Sequence, residues 1–95
     1  SIFKGMSKWG GKMMILVEVM VPSLGRRYDF ELEESVTVDL LIREMVTVIC
    51  QKEHCQCFAG EQGISLYSAA GQYRLVPQAT PQQNGIQNGQ RLILV

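Results

Sequence analysis

Four side chains able to bind a soft or borderline metal fall within the short stretch Cys50-Gln51-Lys52-Glu53-His54-Cys55-Gln56-Cys57. Thiolate and imidazole are the donors that zinc selects, so Cys50, His54, Cys55 and Cys57 are the candidate ligands. Their spacing opposes a closed site. Structural zinc sites bring ligand pairs from separate elements, whereas here Cys50 falls on a helix and the other three on one short turn. A plant-type iron–sulfur motif begins C-x4-C, continues C-x2-C and needs a distant fourth cysteine. This chain continues C-x-C and has three cysteines in all. The reading is therefore no cofactor and inert or oxidation-prone thiols at a helix end, with a zinc site and a Cys55–Cys57 redox switch as the alternatives.

Other chemistry finds less support. His54 is the sole histidine, no serine stands in a nucleophile-elbow context, and adjacency of His54 and Cys55 in sequence does not make a catalytic pair. The glycines are isolated turn formers that match neither a P-loop nor a dinucleotide fingerprint. Glu31, Glu33 and Glu34 read as a solvated strand edge. An enzyme is not expected. Nine basic and nine acidic side chains cancel, so no net field draws the chain to nucleic acid. The longest apolar stretch, Met13 to Val21, is interrupted by Glu18 and falls short of the ~18 residues of a membrane span, so no direct membrane insertion is expected. An odd cysteine count without a secretory leader points to reduced thiols in a cytoplasmic protein.

The elements that must position these residues follow from periodicity. Residues 1–12 have no sustained period and read as a flexible extension or leader, in which Trp9 either docks or belongs to the leader. Residues 13–95 then form one domain. Met13–Val21 is an apolar strand, Val21-Pro22-Ser23-Leu24-Gly25 a turn, and Tyr28–Glu33 an alternating strand with one wet face. Ser35 or Thr37 can cap a helix from about Val38 to Lys52, with Asp39 favourable in its first turn. Val38, Ile42, Met45 and Ile49 share one stripe, flanked by Leu41, Val46 and Val48, while Leu40 faces water. Ile64–Ser68 and Tyr73–Val76 are short strands. Two Asn-Gly pairs, Asn84-Gly85 and Asn88-Gly89, reverse the backbone through residues that tolerate positive φ before Leu92–Val95 enters the sheet. The most apolar strands, first and last, belong at the sheet centre, which predicts the spatial order second, first, last, third. The fold class is α+β: a β-grasp, with a mixed sheet of four to five strands packed on one helix.

Ile15–Val19, Tyr28–Leu32, Val38–Ile42 and above all Asn84-Gly85-Ile86 with Asn88–Leu94 resemble the YukD/EsaB family of ubiquitin-like proteins. The resemblance covers nearly the whole of residues 13–95 and is most specific in its final stretch. It implies a small cytoplasmic accessory of a Gram-positive type VII (WXG100) secretion system, recruited to the membrane by its partners. A similar domain forms the cytoplasmic N-terminus of EccD membrane subunits. Conjugation and sulfur transfer, as in ubiquitin and the sulfur carriers, act through a C-terminal Gly-Gly. Here the last residues are bulky and strand-forming, and lysine is confined after Lys12 to Lys52. Neither conjugation nor chain building on this protein is expected.

What remains is a binding surface. With Ile15, Val17, Val19 and Val21 toward the helix, Met14, Leu16 and Met20 face away, beside an outward set from the last strand and Tyr67. An apolar outer face suggests a covered surface, and methionines suit adaptable contacts. Cover by neighbouring loops or by Trp9 is the structural alternative. The functional one is a protein partner, namely the secretion ATPase or a membrane subunit, or a second copy in a homodimer. Met14, Leu16, Met20, Tyr67 and Leu40 are the expected contact residues.

Overall fold

The computed structural model of the chain describes residues 13–54 and 63–95. The proposed extension with Trp9, and Cys55 and Cys57, lie outside those residues. In chain order the elements are β1 (Met14–Val21), β2 (Arg26–Glu33), α1 (Val38–Glu53), β3 (Leu66–Ser68), β4 (Tyr73–Arg74) and β5 (Gln90–Leu94). They form a sheet in the order β2-β1-β5-β3-β4. β1 pairs antiparallel with β2 and parallel with β5, so the sheet is mixed. This is the predicted β-grasp order, with β4 added at the edge.

Alternation in β1 builds the core. Ile15, Val17, Val19 and Val21 are buried, as are Tyr28, Phe30 and Leu32 of β2, because period-two side chains share one face. Against that face α1 packs Val38, Leu41, Ile42, Met45, Val46 and Ile49. Leu66, Leu75, Leu92 and Leu94 complete it. Each such burial contributes about 1.5–3 kcal/mol, and no single contact defines the fold. Ile86, the lone apolar residue between the two Asn-Gly turns, is also buried and plugs one end of the core.

The helix start departs from expectation. Thr37 occupies the N-cap position but makes no side-chain capping bond. Its hydroxyl donates to Asp39 Oδ1 at 2.5 Å, and that oxygen also accepts the Leu40 N–H at 2.8 Å. The first two helical N–H groups, of Val38 and Asp39, instead reach the backbone carbonyls of Ala79 and Pro77 at 2.9 and 3.0 Å. A distant loop thus satisfies donors that sequence assigns to a local cap. The Thr37 hydrogen bond, helped by the Leu40 N–H and by Arg43, holds the Asp39 carboxyl below its ordinary pKa against a smaller desolvation effect.

Ser35 does not cap the helix either. Its backbone N–H and its hydroxyl both donate to Glu33 Oε2, at 2.8 and 2.5 Å. Glu33 is consequently buried, which corrects the solvated acidic edge: the strand ends in a turn that folds back on its carboxylate. At the other end of α1, Glu53 accepts the Tyr28 hydroxyl at 2.7 Å and lies 3.4 Å from Arg26 Nε, fastening the last helical turn to the start of β2.

The Asn-Gly pairs divide their labour. Gly85 and Gly89 hold φ of 77° and 83°, the region a Cβ disfavours, while Asn84 and Asn88 are not in it. The asparagines serve as staples. Asn88 Oδ1 accepts the Leu16 N–H at 2.8 Å, and Gly89 N–H donates to Leu16 O at 2.8 Å, closing β1 where β5 has not yet begun. Asn84 accepts the Val76 N–H at 2.8 Å through Oδ1 and donates through Nδ2 to Val76 O at 3.2 Å and Thr80 O at 2.9 Å. Its own carbonyl accepts the Tyr73 hydroxyl at 2.6 Å.

Candidate protein-binding face

Strand register determines what the outer face of the sheet presents. Met20 pairs with Arg27 on one side and Ile93 on the other; Ile93 pairs with Tyr67, and Tyr67 with Arg74. Directly opposed residues share a face, so Arg27–Met20–Ile93–Tyr67–Arg74 form one row across all five strands. The row spans four interstrand steps, roughly 19 Å. Ser65 and Val95 exchange backbone hydrogen bonds of 2.7 and 3.0 Å, which carries the same register one pair further. Val95, 51% exposed, thus extends the apolar centre of the row.

The neighbouring row is charged. Asp29, Glu18 and Arg91 are opposed in register, and Glu18 Oε1 accepts from Arg91 Nε at 2.6 Å with Arg27 4.0 Å away. Beyond it lies Leu16, 48% exposed, opposite Glu31. Shallow depressions of about 430 Å³, lined by Met14, Leu16, Glu31, Asn88 and Gly89, and about 510 Å³, lined by Leu16, Val17, Glu18, Asp29, Gly89 and Arg91, adjoin it. The expected single apolar face is therefore two apolar areas, Met20–Ile93–Tyr67 and Met14–Leu16, separated by an ion-paired row. Glu18 stands mid-strand on the outward parity, which fixes the division.

The five expected contact residues do not come together. Met14, Leu16, Met20 and Tyr67 share the outer sheet face, with Met14 and Met20 half-buried and Tyr67 37% exposed. Leu40 is exposed as expected, but on the far side of α1, which itself covers the inner face. Helix and sheet separate it from the other four. Ile93 and Val95 are the outward set of the last strand, and Arg27 and Arg74 join the face through cross-strand register, which no single segment displays. Arg74 is exposed and has no ion pair among the described residues, whereas Arg26, Arg27 and Arg91 each face a carboxylate.

Of the sulfur–imidazole candidates, Cys50 and His54 lie among the described residues, and Cys55 and Cys57 outside them. Cys50 is a free thiol, half-buried and packed against the core. His54 ends α1 in the left-handed conformation, φ 53°, with its backbone N–H on Cys50 O. Among the described residues no group of three or more histidine, cysteine, aspartate or glutamate side chains could hold a metal ion. No helix among them is long and apolar enough to cross a membrane.

Solved structures share this architecture. The ubiquitin-like domain of the Mycobacterium tuberculosis type VII secretion system protein ECCD1 is 18% identical, with a TM-score of 0.67 over 87% of this chain and 98% of that one. The EccD5 ubiquitin-like domain from Mycobacterium xenopi is 15% identical, with a TM-score of 0.69 over 87% and 93%. Caldiarchaeum subterraneum ubiquitin is 14% identical, with a TM-score of 0.62 over 86% and 91%. At these identities the likeness establishes the ubiquitin-like fold. No curated protein matches the chain. The family model of YukD, a protein of the WXG100 protein secretion system (Wss), matches residues 16–94, and the chain belongs to that family.

Proposed function

We propose that this ubiquitin-like member of the YukD family is a non-enzymatic accessory of a type VII secretion system that acts by docking, without conjugation. The outer sheet face is the docking surface, and the observation that carries this reading is the row Arg27–Met20–Ile93–Tyr67–Arg74. Outward residues of a solvated antiparallel sheet are ordinarily polar. Here three consecutive strands present apolar side chains, with Val95 alongside and a guanidinium at each end. Aromatic and methionine side chains suit the centre of an interface, and Arg74 offers an unmatched charge at its rim. The partner in this reading is the secretion ATPase or a membrane subunit on the cytoplasmic side, and the protein reaches the membrane through it.

Co-purification from cells of the source organism tests the reading. The native chain should retain ATPase or membrane-subunit peptides identified by mass spectrometry, and a Leu16→Glu, Met20→Glu double variant with native circular dichroism should not. Equal retention by both chains would exclude the outer face. A monomer–dimer shift abolished by the same substitutions, without retained secretion components, would assign the face to a second copy of the chain instead.

A further inference from the structure

We propose that Asn88 is a site of spontaneous modification, in which the fold directs succinimide chemistry to Asn88-Gly89 and shields Asn84-Gly85. Both lie in the same tripeptide, Gln83-Asn84-Gly85 and Gln87-Asn88-Gly89. Their local sequence therefore favours the reaction equally, and a difference between them reports their surroundings.

The backbone nitrogen of the glycine, once deprotonated, attacks Cγ of the asparagine. A nitrogen–Cγ bond forms, the Cγ–Nδ2 bond breaks, and Nδ2 leaves as ammonia with the proton taken from the glycine nitrogen. Water then adds to either carbonyl of the five-membered imide, opening it to aspartate or to isoaspartate. The only co-reactant is water, and no electron is transferred.

At Asn88 the leaving amide is exposed, and no hydrogen bond from Nδ2 is present among the described residues. The electrophilic carbonyl accepts the Leu16 N–H at 2.8 Å, a donor already aimed at the oxygen on which negative charge develops during attack. A Cβ built on Gly89 would meet nothing within 4 Å, so the space beside the glycine Cα is open. One bond must open first, that from Gly89 N–H to Leu16 O. At Asn84 the carbonyl accepts the Val76 N–H in the same way, but the leaving nitrogen also donates to Val76 O and Thr80 O, bonds that must open before ammonia departs. Gly85 N–H is itself bonded to Gln82 O at 3.0 Å, and the Tyr73 hydroxyl lies over that glycine. Reaction there requires breaking both bonds of the leaving amide as well as the Gly85 N–H bond.

Either product changes the outer face. Aspartate at position 88 keeps an acceptor for Leu16 and adds negative charge to the depression it shares with Met14, Leu16 and Glu31. Isoaspartate inserts a backbone carbon before Gly89 and draws its N–H away from Leu16 O.

The test ages the full chain, folded and in denaturant, in mildly alkaline buffer, with peptide mapping by mass spectrometry to locate the product. In the folded chain Asn88 should convert at least roughly tenfold faster than Asn84, the factor set by the additional hydrogen bonds broken at Asn84. In denaturant the two rates should converge, and Gly89→Ala should slow the reaction at Asn88 alone. Conversion of Asn84 in the folded chain as fast as Asn88 would overturn the proposal, as would a folded Asn88 that stays intact while both sites convert in denaturant.

Discussion

Replacing Asn84 with glycine separates two readings of the Asn-Gly pairs. If Asn84 were only a turn residue, glycine would cost no more than the ~0.5 kcal/mol of its added unfolded-state entropy. In the structure its side chain makes three hydrogen bonds, two exposed ones to Val76 and one half-buried one to Thr80. At about 0.5 kcal/mol for each exposed bond and ~1 for the half-buried one, the loss is about 2 kcal/mol. For a chain of this length that lowers Tm by about 8–16 °C. The loop so released also supplies the Pro77 and Ala79 carbonyls to the start of α1, so the variant should lose helix-N-terminal amide protection before global unfolding. Urea denaturation followed by circular dichroism, with native-state hydrogen exchange, measures both effects. A change below about 0.5 kcal/mol, with Val38 and Asp39 protected as in the native chain, would refute the staple.

Two further predictions follow from packing and charge. A Cβ on Gly71 would overlap the Tyr73 ring, which cannot swing aside without losing its bond to Asn84 O; Gly71→Ala should therefore cost about 1–3 kcal/mol in denaturant unfolding, and Tyr73→Ala should relieve part of that cost. Asp39 has a depressed carboxyl pKa in the folded state, so its stabilisation is fully present above the unfolded value near 3.8 and is lost as pH falls through the lower folded value. Asp39→Asn should accordingly flatten the acid limb of the stability–pH curve while leaving its shape near neutrality unchanged, measured by urea midpoints across the acid range.

Much of the fold was legible because periodicity within one segment decides it. Ile15, Val17, Val19 and Val21 alternate into the core, and the stripe from Val38 to Ile49 faces them. Leu40 was correctly expected in water, and the apolar character of β1 and β5 placed both at the sheet centre. What stayed hidden depends on which distant groups meet. The Thr37 hydroxyl looks like a cap, but the helix donors it would serve already face the Pro77–Ala79 carbonyls. Glu33 looks solvated until its carboxylate is seen receiving Ser35. Period also puts Leu40 on the far side of the helix and Met14, Leu16 and Met20 on the far side of the sheet, as the structure has them. Arg27 and Arg74 fall into one row with Met20, Ile93 and Tyr67 through register across five strands, information carried by pairing and by no local pattern.

The docking account is tested most directly by titration calorimetry of the native chain, a Met20→Glu, Tyr67→Glu variant and a Leu40→Glu variant against the purified cytoplasmic segments of the secretion ATPase and membrane subunit. The account predicts that the native and Leu40→Glu chains bind one of these segments with matching Kd, and that the outer-face variant binds at least about tenfold more weakly, the scale of losing one well-packed contact. Binding by the outer-face variant as tight as native, with loss confined to Leu40→Glu, would contradict it and move the interface to the solvent side of the helix.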